Sequence, residues 1–215
     1  MNLFINKNSY YIPGNWNELP LGRYIDFMTT YKEDASDAEQ EIHLLATLSG
    51  APLDVLGEAK KSTLNKAIDR LKELLLKECG ENLVLEFEID GVAYGFHPNL
   101  SQLKLKEFVD LDNKLEKGWE NMHEVMAILY RPITENKGKK YKLEEYDYIK
   151  ASKRAQLFKT ELSVEVVNGA ASFFLSIAVD YMKIIRAYSK MNRQQRRHAT
   201  RQMKSSLQKN MAGTA

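Results

Sequence analysis

Through most of the chain apolar residues recur every three or four positions, the period of one helix face, and in one stretch they alternate as in a strand. "NWNELPLGRYIDFMTTY" opens the first helix. Asn15 or Asn17 can cap it, Pro20 suits a first turn where an N–H is not needed, and Leu21, Tyr24, Ile25, Phe27 and Met28 share a face. After the polar break "KEDASDAEQ", Ser36 or Asp37 caps a second helix, which carries Ile42, Leu44, Leu45 and Leu48 to a stop at Ser49-Gly50. A short turn follows Pro52 and ends at Gly57. "STLNKAIDRLKELLLKECG" is an amphipathic helix with Leu64, Ile68, Leu71, Leu74 and Leu75 as its stripe and Gly80 as the residue just past its end.

Alternation takes over in "LVLEFEIDGVAYGFH". Leu85, Phe87 and Ile89 alternate with Val84, Glu86 and Glu88, and Asp90-Gly91 suits a two-residue turn in which both positions need φ > 0. The spacing predicts a β-hairpin over residues 83–97. A lone hairpin is marginal in water, so it is expected to pack on the helices or to pair with a third strand, for which residues 3–12, "LFINKNSYYI", are the candidate. Beyond Pro98, Ser101 caps a helix whose Leu105, Phe108, Val109, Leu111 and Leu115 are expected to face inward and which ends at Gly118. "NMHEVMAILYRPI" is a short helix stopped by Pro132, with Met122, Val125, Met126, Ile128 and Leu129 buried. "TENKGKKYKLEEYD" reads as a polar loop, with Tyr141, Tyr146 and Tyr148 either pinning it or forming an interaction patch. Two more helices follow. Ser163 caps the second and longest, in which Gly169, Ala170, Ala171 and Ser172 predict close helix–helix packing. The fold class is α+β, mainly α-helical, with one hairpin and a long C-terminal helix.

Composition sharpens this in one respect. The chain has 215 residues, 44% of them hydrophobic, enough for one good core or at most a core plus an appendage. Mean hydropathy is −0.45, and no apolar run reaches the roughly 20 residues that span a bilayer. The first residues lack the charged and apolar regions of a signal peptide. The net charge of +2 hides a separation. Nine of the 31 Lys and Arg lie from Tyr181 onward with no acid among them, so the first 180 residues set 22 basic residues against 29 acidic ones, a net of −7. The chain divides into a globular part, 1–188, and a basic tail, 189–215.

"SKMNRQQRRHATRQMKSSLQKN" lacks the apolar content to hold a fold alone. Arg193, Arg196, Arg197, Arg201 and Lys204 offer charge, and Met203 and Leu207 a little apolar contact, to an acidic partner that would order the segment as helix. A second copy's acidic globular part is one such partner. Phosphates are another, although no aromatic residue follows Tyr188 to stack on bases. A solubilising terminus is the third reading.

Chemistry is sparse. The four histidines, at 43, 97, 123 and 198, lack a second ligand at a metal spacing, and no phosphate-cradling or nucleophile-elbow motif occurs. Glu86 and Glu88 read as a solvated hairpin face, and the lone Cys79 as a structural thiol. No catalytic residue, cofactor or metal is expected.

The succession "NWNELPLGRYIDFMTTY", "EFEIDGVAYGFHPNLSQLKLKEFVDLDN", "HEVMAILYRPI" and "VVNGAASFFLSI" resembles a group of small proteins of tailed bacteriophages, encoded among the tail genes and of the tail-assembly-chaperone kind. The resemblance spans roughly residues 15–180. It implies a non-catalytic protein acting on the tape-measure protein or tail subunits in the host cytoplasm. The alternatives are a structural virion component and a nucleic-acid-binding module working through the tail.

Overall fold

The computed structural model describes residues 1–136, 138 and 140–189; for Ser101 and residues 177–189 it describes the backbone. Two hydrophobic cores organise these residues. The first is built by strands β1 (Asn2–Ile5) and β2 (Asn8–Tyr11) with helices α1 (Leu21–Thr30), α2 (Asp37–Ser49), α3 (Leu53–Gly57) and α4 (Lys61–Leu76). The second is built by strands β3 (Glu86–Ile89), β4 (Val92–Phe96), β5 (Tyr130–Asn136) and β6 (Tyr141–Leu143) with helices α5 (Leu105–Leu115), α6 (Met122–Leu129), α7 (Tyr148–Glu161) and the start of α8 (Val164–Ser189). The α+β, mainly helical class is what the described residues form.

Helix α1 joins the cores. Its Leu21 and Ile25 enter the second, while Tyr24 and Phe27 pack on the first. Backbone bonds lock the seam: Leu21 N–H donates to Leu162 O at 2.7 Å, and Val164 N–H to Leu19 O at 3.0 Å. Ser163 therefore stands before α8, but its hydroxyl caps nothing and is buried without a partner. Ser36 does cap α2, in a reciprocal box: Glu39 N–H donates to its Oγ, and its own N–H donates to Glu39 Oε2 at 2.9 Å.

The 83–97 hairpin forms as expected. Asp90 and Gly91 take φ of 52° and 76°, the pair of positive values that a two-residue turn between twisted strands requires. Its third strand is not residues 3–12. Those fold back on themselves as β1 and β2, a separate two-stranded sheet that turns at Asn6 (φ 50°) and buries Leu3 and Ile5 against α4 and its neighbours. Trp16 Nε1 donating to Lys77 O and Arg70 Nε to Ile12 O tie that end of the chain to α4.

The third strand is β5, and the order β3-β4-β5-β6 is an antiparallel meander. The segment expected to be a polar loop thus supplies the last three residues of β5 and all of β6. Tyr130–Pro132 pair with β4, and Ile133–Asn136 pair with β6 across a register shift. Pro132 sits where one ladder gives way to the other, so its missing N–H interrupts neither. It does not stop α6, which already ends at Leu129. Tyr141 and Tyr146 pin the segment: their hydroxyls donate to Phe96 O and Asp110 Oδ2, each at 2.6 Å, while Tyr148 is exposed.

Three other expectations change. Helix α4 ends at Leu76 with Lys77 extended, so Gly80 is not its end residue. Helix α5 begins at Leu105, and Ser101 lies in a preceding turn of 3-10 helix. Gly169 meets no other helix: a side chain there would strike the backbone of Asn82, and the neighbouring Asn168 Nδ2 donates to Gly80 O at 3.0 Å. Gly169 admits an extended segment.

Candidate partner-binding surfaces

The side chains of α5 contradict the expected orientation. At 100° per residue, positions 107, 110, 111 and 114 share one side of the helix, and 105, 108, 109 and 112 another. The first side faces the protein. Glu107 and Leu111 are buried, and Asp110 and Lys114 are partly covered. Three polar attachments hold it. Glu107 pairs at 3.4 Å with Arg131, both buried; Asp110 accepts the Tyr146 hydroxyl; Lys114 pairs with Glu124 of α6. The second side looks out. Leu105 is 79% exposed, Phe108 55%, Val109 45% and Leu115 41%. Of the five residues expected inside, only Leu111 is there. The polar side docks through these contacts with Arg131, Tyr146 and Glu124, and the apolar stripe is left in water. Tyr148 and Ile149 are also exposed, at the start of α7, and Tyr148 lines a small hollow with Asp110 and Lys114 on the attached side of α5. A stripe of exposed apolar side chains on one helix is a candidate surface for another molecule.

Behind α5 lies a polar hollow of about 300 Å³ lined by His97, Lys104, Glu107, Arg131, Tyr141, Glu144, Glu145 and others. Its charged groups are engaged. Lys104 bonds Glu145 at 2.8 Å, and Glu144 holds Lys150 at 2.7 Å and Arg154 at 3.4 Å. Burial, seconded by Arg131, keeps His97 below the ordinary imidazole range, and burial pushes the Tyr141 phenol up to about 12. Arg154 turns two nitrogens to Ala127 O, at 3.0 and 2.9 Å, satisfying a carbonyl that the end of α6 leaves without a helical partner. The hollow is the joint between α5, the sheet and α7.

A second surface lies where α1 meets α2. The rings of Phe27, Tyr31 and His43 stand together, with centroids 5.6 Å apart for Phe27–Tyr31 and Phe27–His43 and 6.1 Å for Tyr31–His43. The Thr30 hydroxyl is 2.5 Å from Asp26 O and 2.7 Å from His43 Nε2. Its one proton serves the carbonyl, so Nε2 donates and Nδ1 is a bare acceptor, buried without a partner. Burial keeps His43 below the ordinary imidazole range. Gln40 Nε2 donates to Glu33 O and Ala35 O and so holds the α1–α2 loop in place. Adjoining hollows of about 220 and 310 Å³ result, with Asp37, Glu39, Gln40 and Glu41 on the rim.

Cys79 stays a thiol at neutral pH, because burial and the nearby Glu165 carboxylate push it up to about 11. Among the described residues no three His, Cys, Asp or Glu side chains group so as to hold a metal ion, and no helix is long and apolar enough to cross a membrane. The residues singled out in the tail, Arg193, Arg196, Arg197, Arg201, Met203, Lys204 and Leu207, lie outside the described residues. The surface of α5 was missed because its residues read as core. The acidic loop and the aromatic spacing of the second surface were visible, but nothing in one dimension brings His43 to Tyr31. No family model, curated protein or solved structure matches the chain.

Proposed function

We propose that this protein is a non-catalytic assembly factor, of the bacteriophage tail-assembly-chaperone kind, that covers apolar segments of a tape-measure or tail protein until they assemble. The observation that carries the reading is α5, a helix attached through Glu107, Asp110 and Lys114 that turns Leu105, Phe108, Val109 and Leu115 to solvent. An amphipathic helix of the partner fits such a stripe, since anchors at three- and four-residue spacing interdigitate with their like. The charged attachments keep the helix in place when the stripe is empty. The host cytoplasm during assembly is the setting this reading implies.

The test is co-expression with a tape-measure protein of a tailed phage. The native chain is expected to keep that protein in solution and to co-purify with it, while Phe108→Asp is expected to fold normally and lose the complex. Equal recovery with Phe108→Asp removes α5 from the interface. Mass spectrometry of purified virions adds a second arm. Stoichiometric presence there would replace the chaperone by a structural virion protein, and binding of the native chain to DNA alone would favour the nucleic-acid reading.

A further inference from the structure

The ring-lined cleft between α1 and α2 has a chemical complement in the same sequence. Residues 26–41 set Asp26, Glu33, Asp34, Asp37, Glu39 and Glu41 against the single cation Lys32, a net of −5. From Tyr181 onward the net is +9 with no acid at all. We infer that the cleft of one molecule receives an arginine from residues 190–215 of a second copy, so that the protein self-associates head to tail.

A guanidinium suits the site better than an ammonium. Its flat face lies on an aromatic ring while its edge donates two parallel hydrogen bonds to a carboxylate. Tyr31, 42% exposed, offers the face, and Asp37 and Glu41 line the same hollow of about 310 Å³. Glu41 already holds Lys72 at 2.5 Å on the exposed rim, an ion pair that an incoming guanidinium can share or displace at small cost. Five arginines follow Tyr181, four of them at 193, 196, 197 and 201. A second copy is the occupant because of α8. The helix begins at Val164, in the same core that floors the cleft, and 26 residues at 1.5 Å each carry its axis about 39 Å before Ser189. Arg193, Arg196 and Arg197 follow within eight residues, about 29 Å of chain at most, too short to return along the helix to their own cleft. Head-to-tail contacts of this kind use different surfaces on each partner, so they propagate or close into a ring.

The inference does not depend on α5, and the experiment separates the two. Sedimentation velocity of the full chain across concentration is expected to show association at low salt that fades at high salt, where the Debye length falls to about 3 Å at 1 M. Tyr31→Ala and Asp37→Asn on one side, and Arg196→Gln with Arg197→Gln on the other, are each expected to weaken association by about tenfold. Mixing a cleft variant with a tail variant should restore dimers, because one intact cleft and one intact tail remain. Circular dichroism of each variant should match the native chain. A protein monomeric at low salt at all concentrations overturns the inference. So does association untouched by the cleft variants, or association abolished by Phe108→Asp instead, which would assign it to the apolar stripe.

Discussion

Helices α4 and α5 carry apolar stripes of the same period, yet one is closed and the other open. In α4, Ile68, Leu71 and Leu74 are buried among Leu3, Ile12, Leu45 and Leu48, and the charged residues Lys66, Asp69 and Glu73 face water. In α5, leucine, phenylalanine and valine face water, and the attachment runs through Glu107, Asp110 and Lys114. Helix α4 is held by area removed from water, α5 by charges placed opposite their partners. The difference teaches that amphipathicity states how a helix is divided and not which half the protein covers. A helix attached by its polar side leaves an apolar stripe for something else.

The comparison makes predictions that run from severe to negligible, the first with its matched control on α4, all read by urea denaturation of the full chain. Glu107→Ala should cost the most, about 3–5 kcal/mol, because it leaves the Arg131 guanidinium buried without its counter-charge. The matching change on α4, Glu73→Ala, should be nearly silent, since that side chain is solvated. Leu71→Ala should cost about 2–5 kcal/mol by opening a cavity in the first core. Asp110→Ala should cost about 1–3 kcal/mol, as the largely buried Tyr146 hydroxyl loses its acceptor. Last, Leu105→Ser with Phe108→Ser should change stability by no more than about 0.5 kcal/mol. If that double change unfolds the protein, α5 is packed like α4 and the contrast is broken. If Glu107→Ala is harmless, the polar attachment is not what holds it.

Much of the fold was legible along the chain. The 83–97 hairpin was, because its turn needs only two residues, Asp90 and Gly91, with the right φ. The cap at Ser36 and the buried stripe of α4 were legible for the same reason: both are decided within one or two turns of chain. β5 and β6 were not. The part of β5 that falls in "TENKGKKYKLEEYD" is its exposed end, and β6 is an edge strand of three residues, too short for alternation to stand out, so the evidence for pairing is in β4. Of the two candidate surfaces, the composition of each could be read, but not its exposure.

The sequence by itself determined where helices and the central hairpin form, how charge divides between the two ends of the chain, and which residues make each apolar stripe. These follow from local propensity, turn chemistry and composition, which act over a few residues. Only the tertiary structure decided that residues 3–12 pair with each other, that Arg131 waits under α5 for Glu107, and that Phe27, Tyr31 and His43 meet at one cleft. Each of those depends on groups distant in sequence competing for the same partner. On α5 the groups that meet partners are Glu107, Asp110 and Lys114, and four apolar side chains stay exposed, an outcome that depends on neighbours that exist only once the chain has folded around the helix.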